Sequence, residues 1–166
     1  MKQNIIVRRA KPSDAAQIAA FVNRGRRGQR QIDELAVIER FGSVGIMVAE
    51  IGGELVGLLG WRAENLIVRV TDLLVAPIPE GVSIASALLS AMEQTAGELQ
   101  CEAALLFLPR PHHPKLIKFC NTLGYESQIV ANLPKVWQEA ASEARVGGEE
   151  AVLVKQLRTR RVARPL

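Results

Sequence analysis

The sequence predicts a mixed α/β fold built on one central sheet. Three observations carry that reading. A lone N-terminal strand is followed by two helical stretches. A glycine-punctuated meander of three antiparallel strands comes next. Helices and strands then alternate to the end of the chain.

Ile5 to Arg8 is the opening β-like run. Ser13 and Asp14, just after Pro12, mark a helix N-terminus, and Ile18, Phe21 and Val22 recur at helical spacing, so a helix is expected from Asp14 to Asn23. Gly25 and Gly28 break the chain before a second helix, Ile32 to Arg40, with Leu35, Ile38 and Phe41 apolar. Gly45 to Glu50 reads as a strand, Gly52-Gly53 as a hairpin turn and Leu55 to Arg62 as the next strand. Glu64-Asn65 makes a second turn, and Leu66 to Val75 completes the meander. Pro77 and Pro79 punctuate a loop before a long helix, Ser83 to Gln100, whose apolar stripe is Ile84, Leu88, Leu89, Met92 and Leu99. Ala103 to Leu108 is continuously apolar, as expected of a strand buried on both faces. Pro109, Pro111 and Pro114 mark the following loop, and Pro114 suits the first turn of a helix that runs to Leu123 and stops at Gly124. Tyr125 to Val130 is a strand, Pro134 to Ala144 a helix and Ala151 to Leu157 the last strand. With no internal repeat or linker, residues 1–157 are expected to form one domain, followed by a basic tail over 158–166.

Composition narrows the function classes. The chain has 166 residues, 48% hydrophobic and 23% charged, which supports a real globular core. Two cysteines exclude a disulfide scaffold and a four-cysteine zinc site. No apolar run approaches the roughly 18 residues of a membrane span, and Met1 to Ala16 lacks the apolar centre of a signal peptide. The expected setting is cytoplasmic, with no membrane partner and both thiols reduced.

The basic charge is local. Arg24, Arg26, Arg27 and Arg30 form one cluster, and Lys155, Arg158, Arg160, Arg161 and Arg164 form another. Setting these nine aside leaves 12 basic against 17 acidic residues, so the body is net acidic. No aromatic residues interleave with the arginines, which makes nucleic acid the least supported partner.

Three passages carry a family resemblance. Ile6-Val7-Arg8-Arg9-Ala10-Lys11-Pro12-Ser13-Asp14 leads a strand into a helix through an "R-A-x-x-x-D" pattern. Asp72-Leu73-Leu74-Val75-Ala76-Pro77, followed by Ser83-Ile84-Ala85-Ser86-Ala87-Leu88-Leu89, is a strand ending in "V-x-P" before a helix. Phe119-Cys120-Asn121-Thr122-Leu123-Gly124-Tyr125 ends a helix in an "F-Y-x-x-L-G-F"-like run. In this order and spacing they resemble the GNAT N-acetyltransferase superfamily over nearly the whole chain.

The resemblance implies a single GNAT-like α/β domain, a mixed sheet with its three-strand meander flanked by helices. It also implies an acetyl-CoA-dependent enzyme whose amine acceptor attacks the thioester directly. In such proteins backbone groups of the strand hold the pantetheine arm, here Leu73, Leu74 and Val75. The loop and helix start hold the pyrophosphate, here Gly81, Val82, Ser83, Ile84, Ala85 and Ser86. The loop departs from the family's "Q/R-x-x-G-x-G/A": Glu80 replaces Gln or Arg, and Ser83 replaces the first glycine. An anion beside a pyrophosphate is unfavourable unless it turns to solvent.

Acetyl transfer needs a base for the amine proton and often an acid for the leaving thiolate. Cys120 stands at the family's tyrosine acid, and a thiol can donate a proton. His113 stands where Asn is frequent, and either it or His112 can exchange protons near pH 7. In the third meander strand Thr71 replaces a family Glu and Asp72 is retained. Alternation places Thr71, Leu73 and Val75 on one face and Asp72 on the other. An Asp in an apolar strand needs a partner or a role, and Arg69 and Arg62 are the nearest arginines in sequence. Glu64 and Glu50, near strand ends, are further base candidates. Trp61 reads as a core or rim residue and Trp137 as the anchor of its helix. That helix stands where many members have a tight hairpin, and an insertion there either covers the acceptor site or makes a homodimer contact. The first arginine cluster falls where the family lines its acceptor pocket, so a small-molecule or peptide amine bearing an anion suits it better than a polyamine. Glu80, Ser83 and Cys120 also fit a second reading, a GNAT-fold binding or regulatory module with weak or no turnover.

Overall fold

Each expected strand and helix is present, most within two residues of its expected bounds. The computed structural model describes residues 4–26, 29–107, 114–144, 147–148 and 150–158. The strands are β1 (Ile5–Arg9), β2 (Gly45–Ile51), β3 (Glu54–Glu64), β4 (Ile67–Val75), β5 (Ala103–Leu106), β6 (Glu126–Ile129) and β7 (Ala151–Gln156). The helices are α1 (Ala15–Arg24), α2 (Glu34–Phe41), α3 (Gly81–Glu98), α4 (Pro114–Thr122) and α5 (Lys135–Glu143). The strands hydrogen-bond in the order β1-β2-β3-β4-β5-β7-β6. The β1-β2-β3 ladder is antiparallel, β4 and β5 run parallel, and β7 pairs antiparallel with both β5 and β6. The tail from residue 159 lies outside the described residues.

Turn chemistry fixes the meander. Gly52 and Gly53 both take positive φ, 59° and 82°, as a two-residue turn matched to strand twist requires. The second turn sits one residue later than expected, at Asn65 and Leu66, whose φ values are 54° and 64°. Strand β3 extends through Glu64, so a left-handed pair is needed beyond it, and Leu66 accepts that conformation at an exposed position.

Two compact units divide the chain: Met1–Arg62 with Thr71–Met92, and Ala63–Val70 with Glu93–Leu166. In the first, Ile18 and Phe21 of α1 and Val37 of α2 pack with Ile46, Val48, Leu55 and Leu58 of β2 and β3. Of the three apolar residues expected in α2, Phe41 packs on the core, and Val37 joins it in place of Leu35 and Ile38. Asp33 caps the helix through the Ala36 amide at 2.9 Å. Val37 and Phe41, four apart, then face the core, while Leu35 and Ile38 are exposed.

A charged clasp ties the start of this unit together. Arg8 donates to the Asp14 carboxylate at 2.8 and 2.9 Å and to Glu50 at 2.7 and 2.9 Å. Asp14 also accepts from the Lys11 amide at 2.7 Å, so its side chain ends the 3-10 turn that precedes α1. The Arg8 hydrogen bonds outweigh the cost of burial and lower the Asp14 carboxyl from 3.8 to about 2. A folded value below the unfolded one means stability that is present above pH 4 and lost as pH falls toward 2. Arg8 is about a third exposed, so solvent screening reduces the effect to about 1–2 kcal/mol. Urea denaturation of wild type at pH 5, 4, 3 and 2 is expected to show this loss, and Asp14→Asn to lack most of it. Equal pH slopes in the two proteins would contradict the clasp.

In the second unit, all four residues of β5 are buried between β4 and β7. Ile67, Ala103, Leu105, Val152 and Val154 of the sheet meet Val130, Leu133 and Ala141, with Trp137 packed alongside as the anchor of α5. Helix α4 ends at Gly124, φ 96°, where the Gly124 amide donates to Asn121 O at 3.1 Å and the Tyr125 amide to Cys120 O at 3.1 Å. Tyr125 is fully buried, and its hydroxyl donates to Glu93 Oε2 at 2.8 Å. Lys155 Nζ donates to Glu93 Oε1 at 2.7 Å and lies 5.7 Å from the Tyr125 ring centroid. Burial first, then the Glu93 charge, raises the Tyr125 phenol and keeps it neutral. Helix α3 ends at Glu98, so Leu99 falls beyond the apolar stripe and is exposed. Among the described residues no helix is long and apolar enough to cross a membrane.

Candidate active site

A cleft of about 520 Å³ opens in the first unit. Apolar side chains form much of it: Ile18 and Val22 from α1, Val37 from α2, and Ile46 and Leu58 from the sheet. Gly25, Arg26, Gln29 and Ile32 contribute from the connection between the two helices. Thr71, Asp72, Leu73 and Leu74 contribute from β4. Asp72 is the only carboxylate among the described lining residues, which also include two arginines, Arg26 and Arg40.

Asp72 is held from two sides. Its Oδ2 accepts from Arg40 Nη2 and from the Thr71 hydroxyl, the latter at 2.8 Å. The arginine that holds it is thus Arg40. Arg69 instead pairs with Glu143 at 3.3 Å. Sequence proximity points to Arg69 and Arg62, whereas Arg40 comes from α2, an element brought to β4 by tertiary packing. The strict alternation expected of this strand also gives way. Thr71 and Asp72 are adjacent, yet their side chains bond each other and both reach the cleft. Gly60 makes room for them. A Cβ there would stand 2.5 Å from Asp72 Oδ2 and 2.8 Å from Thr71 Oγ1, closer than real contacts allow. A glycine inside a strand pattern signals such close approach, and it is the sequence feature that points to this part of the site. Glu50 is not among the lining residues and is engaged by Arg8.

Of the first arginine cluster, Arg26 lines the cleft. Its Nη1 donates to the Arg30 carbonyl at 3.0 Å, and no carboxylate among the described residues pairs with it. Arg24 is exposed and sits 5.8 Å from the Phe21 ring centroid. Arg30 is exposed as well, and Arg27 lies outside the described residues.

The expected cofactor segment sits in the same unit. Leu73 and Leu74 line the cleft, and Val75 ends β4 against Gly81, where α3 begins. Not every amide expected at a pyrophosphate is available. Gly81 N donates to Ile78 O at 3.0 Å and Ile84 N to Glu80 O at 2.9 Å. Ala85 and Ser86 lie within the helical ladder. Among the described residues, the Val82 and Ser83 amides have no backbone acceptor, and both residues are exposed. They are the orphan donors that a helix start leaves, at the positive end of an 18-residue helix. A pyrophosphate fits these donors. Ser83 adds an exposed hydroxyl to them, and Glu80 uses its carbonyl as the helix cap while its side chain is half-buried.

Of the remaining candidates, Cys120 lies in the second unit. Cys120 is 1% exposed, and burial pushes its thiol up. His112 and His113 lie outside the described residues.

The family model described as the acetyltransferase (GNAT) family matches residues 15–125. The chain belongs to that family. No curated protein sequence matches it significantly. Solved structures show the same fold at low identity. The yncA protein of Salmonella typhimurium, solved with its cofactor acetyl-CoA, aligns with TM-score 0.69 and 14% identity over 98% of this chain and 99% of its own. An aminoglycoside 6′-acetyltransferase type Ii aligns with TM-score 0.68 and 17% identity over 94% and 99%. N-acetylglutamate synthase from Neisseria gonorrhoeae, solved with coenzyme A and N-acetyl-glutamate, aligns with TM-score 0.67 and 16% identity. That alignment covers 96% of this chain but only 36% of the synthase.

Proposed function

We propose that this protein transfers the acetyl group of acetyl-CoA to the amine of a small anion-bearing acceptor bound in the Asp72 cleft. The observation that carries the reading is the run from Thr71 to Ser83. It places a held carboxylate, a cleft-lining strand and a helix start with free amides in one unit of the fold. Acetyl-CoA supplies an acetyl group activated as a thioester.

The Val82 and Ser83 amides bind its pyrophosphate, and the β4 backbone from Leu73 to Val75 orients the pantetheine arm. The acceptor ammonium first loses one proton to solvent, which frees its lone pair for attack, and Asp72 receives the second proton that the nitrogen releases as it bonds to the carbonyl carbon. The nitrogen becomes strongly acidic in that step, so a carboxylate can take its proton. The C–S bond then breaks, and the leaving thiolate takes its proton from water. Cys120 is assigned to packing, because a buried thiol held protonated is a weak and poorly accessible donor. Arg26 attracts the acceptor's anionic group.

Release of free CoA thiol from acetyl-CoA, measured across a panel of amines, tests this reading. Amine-dependent release supports it. Tight acetyl-CoA binding without release on any amine would favour a binding module instead.

A further inference from the structure

We infer that the acceptor is a zwitterionic amino acid with a large apolar side chain, its carboxylate held by Arg26 and its ammonium by Asp72. This rests on the transferase reading above and names the substrate class of the same cleft. Three features point to it. Arg26, half-buried as a residue, offers a guanidinium with no carboxylate partner among the described residues. Such a fork binds a carboxylate through charge-assisted hydrogen bonds. Asp72 is the single carboxylate among the described lining residues and suits one ammonium. The rest of the cleft is largely hydrocarbon, from Ile18, Val22, Ile32, Val37 and Leu58.

Competing acceptors fit less well. A polyamine would set several ammonium groups against two guanidiniums and one carboxylate. A dicarboxylic amino acid would press its second carboxylate on apolar walls, which is costly without a partner. An apolar side chain gains free energy on the same walls. About 520 Å³ lies within the range of clefts that enclose small organic ligands.

The test is calorimetric binding and acetyl transfer with L-leucine, L-phenylalanine, their carboxamides, L-glutamate and spermidine, on wild type and Arg26→Gln. The two amino acids are expected to bind about tenfold or more tightly than their amides, which keep the amine and lose the carboxylate. They are also expected to surpass glutamate and spermidine. In Arg26→Gln the acid-to-amide ratio should collapse toward one at an unchanged melting temperature. Equal binding of acid and amide by wild type would overturn the inference, as would preference for glutamate or spermidine. The two readings fail separately. Leucine binding that depends on Arg26, without an acetyl-CoA melting shift, sinks the transferase reading and leaves the cleft assignment standing. An acetyl-CoA shift with no amino acid bound or acetylated sinks the assignment alone.

Discussion

Replacing Asp72 by Asn is expected to lower kcat by about 10²- to 10⁴-fold, the usual contribution of a positioned base. Asn has the same shape and can still accept from Thr71 and Arg40, so the cleft keeps its form. Arg40 is 47% exposed at its side chain, so losing its charged partner there costs little stability. The variant should therefore melt near wild type and bind acetyl-CoA unchanged. Gly60→Ala approaches the same carboxylate from β3. Its methyl would meet Asp72 Oδ2 and Thr71 Oγ1 inside contact distance, so the carboxylate must shift. About tenfold lower kcat with a smaller change in KM is expected, because sub-ångström placement matters at a reacting group. Steady-state kinetics on both variants decide the matter. Wild-type kcat in Asp72→Asn would remove Asp72 from the chemistry.

Gly57→Val is expected to be the most damaging substitution for the fold of the first unit. Gly57 is buried on β3, where α3 packs flush against it. A Cβ there would stand 2.6 Å from Ile84 Cγ2 and 2.9 Å from Leu88 Cδ1. Both side chains are fully buried and have nowhere to go. Overpacking of this kind costs about 3 kcal/mol, or a melting-point loss on the order of 10 °C for a chain of this size. The helix start that carries Val82 and Ser83 should move with α3, so acetyl-CoA affinity falls as well. Gly97→Ala is the control on the same helix. A Cβ there meets nothing within 4 Å, and the change should be neutral or stabilise by up to about 1 kcal/mol. Similar melting points for the two variants would contradict the packing argument.

What the sequence revealed and what it concealed follow from the range of each interaction. The meander was legible because Gly52-Gly53 is local turn chemistry and apolar runs flank it. The end of α4 was legible because Gly124 supplies the left-handed residue that the chain needs at that point. The second turn slipped by one residue because Asn65-Leu66 lacks a glycine to mark it. In α2, Leu35 and Ile38 read as readily as Val37 for the buried face. Packing on β2 and β3 decides between them, and periodicity over eight residues does not. The family motifs pointed to Asp72 and the α3 start. They did not show that Ile84 N is already engaged, because a cap is a matter of backbone geometry. Arg40 with Asp72, Arg8 with Glu50 and Tyr125 with Glu93 are each separated by 32 or more residues. Single-sequence spacing carries no information at that range. Asn, Gly and Pro speak locally, whereas ion pairs are known only once the strands are in register.

The most direct test of the account is a melting-temperature titration of the full chain with acetyl-CoA, run beside pantetheine lacking the nucleotide. Ligand at 100 times its Kd stabilises by about 2.7 kcal/mol, a shift of several degrees here. The account predicts a saturable shift with acetyl-CoA and none with the truncated compound, because the Val82 and Ser83 amides act on the pyrophosphate. No shift at millimolar acetyl-CoA would contradict it.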